Sequence, residues 1–112
     1  MSKIDKITFV SNWNNKLFCK CFTTMRLNNH FYIGNTYNIE LKGKIIGEAL
    51  LIDKKSFYIK DLNEWIAHID TGYNVQECKN ILLTMYKNKN INWDTQIINL
   101  YLLKYINQSK TQ

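Results

Sequence analysis

Twelve residues near the C-terminus, Thr95 to Ile106, are apolar on both faces of an extended chain. Ile97 and Leu103 fall on one side, and Ile98, Leu100 and Leu102 on the other. Such a strand is satisfied only when both faces are covered, so it belongs inside a sheet with further layers against it. The segments before it supply those layers. Ile7 to Val10 is a short β-rich run, and Ser11 to Phe18 reads as a turn of helix started by Ser11, with Trp13, Leu17 and Phe18 inward. Cys21 to Leu27 reads as a strand. Gly34-Asn35 signals a turn, after which Tyr37, Ile39 and Leu41 alternate with Asn38, Glu40 and Lys42. Gly43 turns the chain into Lys44 to Asp53, with Gly47 as a bulge or bend, and Ser56 to Ile59 is a shorter strand.

The periodicity then becomes helical. Asp61 followed by Glu64 predicts a helix start carrying Leu62, Trp65, Ile66 and Ile69. A loop over Asp70 to Tyr73 separates it from a second helix capped by Asn74 and Glu77, in which Cys78, Ile81, Leu82 and Met85 form one face. The order of strand, short helix, strands, two helices and strand predicts an α+β domain: a small curved sheet or barrel with helices packed on it. A chain of 112 residues suffices for one such domain, placed at 1–107 with 108–112 as a flexible tail.

Against that frame, Lys20 to Leu27 (KCFTTMRL) is unusually polar. One lysine, two threonines and an arginine crowd a strand where a core-building segment would alternate more cleanly. The net charge is +6, with seven basic and three acidic groups in residues 1–50 and eight and six in residues 51–112. The polar strand therefore lies in the more basic half, which favours a polyanionic partner without requiring one. Cys19, Cys21 and Cys78 have neither disulfide-framework nor zinc spacing, and His30 and His68 have no partners suited to a metal or a triad, so no metal or cofactor is expected. No apolar run reaches membrane-span length and no signal-peptide core opens the chain, which reads as cytoplasmic with no membrane association. Of the aromatic residues, Trp65 and Trp93 read as core, and Tyr37 as the best candidate for stacking on a base. The Lys87 to Asn90 stretch (KNKN) reads as a solvated loop.

The KCFTTMRL strand, the IGNTYNIELKGK turn and hairpin, the two-helix stretch LNEWIAHIDTGYNVQECKNILLTMYK and the closing WDTQIINLYLLKY segment, in this order, resemble an ASCH domain of the PUA-like superfamily. The resemblance implies a small PUA-like β-barrel of about five to six strands with a two-helix insert before the last. It also implies a cleft for RNA or a nucleobase-containing ligand such as a modified nucleoside. One bacterial branch similar in length and layout hydrolyses the amide of acetylated cytidine with a lysine, a threonine and a glutamate. Matched by motif, the lysine is Lys20, the threonine Thr23 or Thr24, and the strand arginine Arg26. Lys20–Thr23 or Thr24–Arg26 keeps the family spacing, but not both. Asp70 lies about one position from the acid and is one methylene shorter.

Three readings follow. In the first, Lys20, Thr23, Thr24, Arg26, Tyr37 and Asp70 bind a nucleobase-containing ligand, with Lys20 and Arg26 on a phosphate or carbonyl. In the second, Lys20, Thr23, Thr24 and Asp70 carry out amide hydrolysis, which needs a hydroxyl nucleophile, a base and oxyanion donors. In the third, the chain is a phage or mobile-element accessory protein that uses the fold for protein interaction. The oligomeric state is left open.

Overall fold

The structure, a computed structural model, describes residues 5–108, with the side chains of residues 13 and 14 outside the description. Five strands, β1 (Lys6–Phe9), β2 (Cys21–Arg26), β3 (Thr36–Leu41), β4 (Lys44–Tyr58) and β5 (Ile97–Gln108), form one sheet in the order β1-β3-β4-β5-β2. β1 runs parallel to β3, and the other pairings are antiparallel. A 3-10 helix, Trp13–Phe18, joins β1 to β2. Helices α1 (Glu64–Thr71) and α2 (Val75–Met85) lie between β4 and β5. The doubly apolar segment is β5, an internal strand between β4 and β2.

The sheet curls into a half-barrel, and the sequence shows why. The fifteen-residue β4 changes register against β3 at Ile39/Glu40 and against β5 at Glu48/Ala49 and Leu51/Asp53. Each irregularity bends the strand and adds twist. Gly47 sits at the first of these bends. A Cβ there would lie 2.7 Å from both the Asn107 carbonyl oxygen and the Tyr105 ring, so the close approach of β5 excludes any side chain. The β3–β4 turn passes through Lys42 (φ 51°) and Gly43 (φ 83°), two consecutive left-handed residues that match the twist of a tight hairpin.

Curling separates two apolar clusters. Inside the curl, Ile7, Leu17, Phe22, Tyr37, Leu51 and Tyr101 belong to one core. Outside it, Met25, Leu62, Ala67, Cys78, Leu82 and Ile98 pack the helices onto the sheet. The buried tyrosines satisfy their hydroxyls locally: Tyr101 donates to the Asn28 carbonyl and Tyr105 to the Leu17 carbonyl, both at 2.8 Å.

The α+β class and the helix pair before the last strand are as expected, and several boundaries are not. The two strands expected at Lys44–Asp53 and Ser56–Ile59 are one continuous β4, because β5 pairs along its length. Asn63, not Asp61, caps α1 by accepting from the Ile66 amide at 2.9 Å, whereas Asp61 lies in a 3-10 turn. The expected loop at Asp70 is the last turn of α1, which ends at Gly72 in a left-handed cap. Asn12, not Ser11, caps the 3-10 helix. Phe18 and Trp65 face solvent, 59% and 80% exposed, rather than the core. The inward placing of Trp13 lies outside the described residues. Asn107 and Gln108, expected in a loose tail, pair with β4, and residues 109–112 lie outside the description.

Candidate functional site

The sheet margins, β1 and β2, approach one another without a hydrogen-bonded ladder among the described residues. Side chains bridge the gap instead. The Phe9 and Phe22 rings meet edge to face at 6.1 Å. The Arg26 guanidinium lies 4.7 Å from the Phe9 ring centre and donates from Nη2 to the Thr8 carbonyl at 2.6 Å. A cleft of about 200 Å³ opens at this seam. Thr8 and Phe9 of β1, Thr24 and Arg26 of β2, Asp70 of α1 and Cys78 of α2 line it, together with Lys16 of the 3-10 helix.

The local sequence drives each polar group here. Asn12 accepts from the Leu17 amide at 2.8 Å and Asn15 takes a left-handed conformation (φ 57°), which winds residues 13–18 into a tight turn. Leu17 anchors the turn fully buried in the core, and its neighbour Lys16 is carried in with it, only 8% exposed. Asp70 is 4% exposed in the last turn of α1, where the helix dipole opposes a negative charge. Lys16 compensates: its Nζ lies 3.0 Å from Asp70 Oδ1. Thr23 donates to the same oxygen at 2.9 Å. Thr24, facing the other side of β2, accepts from Arg26 Nε at 3.2 Å.

Two valences are left over. Both bonds to Asp70 fall on Oδ1, so among the described residues Oδ2 of this cleft-lining carboxylate makes none. Arg26 uses Nε and Nη2, leaving Nη1 without a protein acceptor, and forms no ion pair among the described residues. The cleft therefore presents an open acceptor and an open charged donor.

Burial depresses the Lys16 ammonium below its usual range, while Asp70 opposes the shift and Arg26 adds to it. Burial likewise lowers Arg26, with Tyr86 and Asp70 holding it up, and a guanidinium stays charged under such a shift. Burial pushes the Cys78 thiol up to about 11; Asp70 adds to this, and Thr71 and Lys16 oppose it. The thiol is thus protonated and unreactive at neutral pH. Between pH 9 and pH 11 an unfolded chain has released this proton and the folded one has not, so stability falls as pH rises through that window, by about 2–3 kcal/mol in all. Denaturation midpoints for wild type and Cys78→Ala check this: the variant should show a flatter decline. The lowered Lys16 gives a slope of opposite sign common to both proteins.

Three of the six expected site residues, Thr24, Arg26 and Asp70, line the cleft. Thr23 reaches it only through its hydrogen bond to Asp70, since its side chain faces the other side of β2. Lys20 does not line the cleft; it sits exposed just before β2, with its carbonyl accepting from the Tyr105 amide. The lysine that lines the cleft is Lys16, because the 3-10 turn, not the strand entrance, points into the seam. Tyr37 is 2% exposed in the barrel core, where its hydroxyl accepts from the Tyr32 amide at 2.8 Å, so no base can stack on it. Among the described residues no three His, Cys, Asp or Glu side chains gather to hold a metal. No helix among them is long and apolar enough to cross a membrane. No family model matches the chain, and no curated protein or solved structure matches it.

Proposed function

We propose that the cleft binds a nucleobase-containing ligand, RNA or a modified nucleoside, and that the protein is an ASCH-like module of the PUA-like type. The observation that carries this reading is the pairing of unused valences: Asp70 Oδ2 to accept an N–H, and Arg26, with no acidic partner, to donate to an oxygen. An N–H donor close to an acceptor oxygen, as N4–H and O2 are in cytosine, is what the hydrogen-bonding edge of a base offers. A volume of about 200 Å³ lies under the ~300–1,000 Å³ typical of larger ligands, which suits one ring with the rest outside.

Calorimetric titration with cytidine monophosphate tests it. Arg26→Gln removes a charge-assisted donor and should weaken binding roughly tenfold or more; Thr24→Val, which removes the acceptor holding Arg26 Nε, should also weaken it. No binding by wild type, or unchanged binding by both variants, sinks the proposal.

One arrangement favours a second reading, hydrolysis of an acylated cytidine. The Thr23 hydroxyl is hydrogen-bonded to a buried carboxylate, and the adjacent lysine is depressed towards the range in which an amine shuttles protons. In this reading Thr24, the threonine on the cleft side of β2, attacks the acyl carbon while Thr23 holds Asp70 from the other face. The C–N bond breaks as Asp70 and Lys16 pass the threonine proton to the departing amine of the base. Water then hydrolyses the acyl-threonine to free the acid, and Arg26 steadies the oxyanion in both steps. Wild-type turnover of acetylated cytidine, with loss of about 10³-fold in Thr24→Val or Lys16→Met, is the expected signature. Absence of wild-type turnover removes the reading.

A further inference from the structure

On the outer face of the sheet, across the Thr23–Asp70 hydrogen bond from the cleft, lies a second groove of about 390 Å³. Leu100 and Leu102 of β5 floor it, Trp65 and Ile69 of α1 wall one side, and Asp53, Lys54 and Lys55 of β4 lie along another. Trp65 is 80% exposed and Ile69 61%, an aromatic and an aliphatic side chain one helical turn apart with nothing over them.

We infer that this groove is the second subsite of the same ligand, a single-stranded nucleic acid in which a base neighbouring the one in the cleft stacks on Trp65. The ligand class rests on the reading above; the site does not. Charge selects this occupant. Leu100, Leu102 and Lys104 alternate onto one face of β5, and Leu100 pairs with Lys55 across the sheet. Lys55 and Lys104 thus bracket the apolar floor, about 13 Å apart along the strand direction, so each meets a different phosphate. Neither lysine forms an ion pair among the described residues. One carboxylate, Asp53, lines the groove and accepts from the Lys54 amide at 2.8 Å, but Lys54 and Lys55 line it too and leave it net positive. Glu64 accepts from the Val75 amide at 3.1 Å and faces His68 at 3.2 Å. An exposed indole walling an apolar floor that is flanked by two lysines is the composition of a stacking platform for single strands.

The experiment compares a fluorescein-labelled five-nucleotide pyrimidine RNA, followed by anisotropy, with cytidine monophosphate, on the full chain at 50 and 200 mM salt. The pentamer should bind more tightly than the mononucleotide. Trp65→Ala, a surface change, should weaken the pentamer roughly 5- to 150-fold and leave the mononucleotide unchanged. Lys55→Glu with Lys104→Glu should flatten the salt dependence by about 1.4 in log–log slope. Pentamer binding within twofold of wild type in Trp65→Ala overturns the inference, as does a wild-type dimer in sedimentation that Trp65→Ala dissociates. Loss in Arg26→Gln but not in Trp65→Ala keeps the cleft and discards the groove. Loss in Trp65→Ala with Arg26→Gln unaffected keeps the groove and discards the cleft. Failure of both probes to bind wild type overturns both.

Discussion

Asp70→Ala should lower the stability of the fold by about 3–5 kcal/mol, because it strands the Lys16 ammonium in the interior without its counter-charge. Deprotonating Lys16 caps the cost, and burial has already moved that group in this direction. The informative comparison is with an all-apolar triad, Lys16→Met with Thr23→Val and Asp70→Leu. Buried ion pairs are repaid poorly for the water they lose, so replacing the whole set with well-packed side chains should recover most of the stability or exceed wild type by about 1–4 kcal/mol. The triad variant should nevertheless bind no ligand. Urea denaturation with a fixed m-value reads the first quantity, and calorimetric titration the second. A stable triad variant that still binds would reduce the constellation to scaffolding. An Asp70→Ala protein within 1 kcal/mol of wild type would show that water reaches the pair.

Gly47→Ala should crowd the sheet in a way that the same change at Gly34 or Gly43, with nothing within 4 Å of the added carbon, does not. The new carbon would meet the Asn107 carbonyl oxygen and the Tyr105 ring at 2.7 Å, and the first of these is backbone that cannot rotate away. β4 and β5 would have to separate at the bend that starts the curl. Overpacking of this kind costs about 1–3 kcal/mol, which in a domain of this size lowers the melting temperature by roughly 5–10 °C. A melting temperature within 2 °C of wild type would mean that the strands part easily there. Gly43→Ala, with nothing within 4 Å of the added carbon, is a useful control, since its cost comes from backbone conformation alone.

The residues announced their local structure best where one face or one cap decides the matter. Asn74 and Glu77 form the expected reciprocal cap of α2, with the Glu77 amide donating to Asn74 at 2.8 Å and the Asn74 amide to Glu77 at 3.2 Å. The alternation of Tyr37, Ile39 and Leu41 and the two-faced β5 gave the hairpin and the internal strand. Helix faces were harder to read. Trp65 and Ile69 fall where an apolar stripe belongs, yet α1 is short and buries Ala67, Asp70 and Thr71 instead. A buried carboxylate paired with a lysine can define a helix's inner face as an apolar residue does, and hydropathy does not register it.

The site lysine was missed for a related reason. Lys16 and Lys20 both precede the polar strand, and motif matching favoured the nearer one. No spacing in the sequence pointed to Lys16, which is carried inward by its buried neighbour Leu17 rather than by the strand. Tyr37 was misplaced because a tyrosine with a local hydroxyl partner is as suited to a core as to a binding face, and one strand cannot say which side closes over it.

The two ends of the sheet meet through an arginine and a pair of rings rather than through backbone pairing. The β3–β4 hairpin is local, and the helices pack on strands already joined, so a chain can hold most of its hydrophobic interior before the first and last strands in the lateral order come face to face. Completion of the circuit is what creates the mouth. An occupant therefore tells finished molecules from nearly finished ones and shifts the balance towards the former in proportion to its concentration. If the cleft binds a ligand as proposed, its recognition and the completion of the fold are coupled.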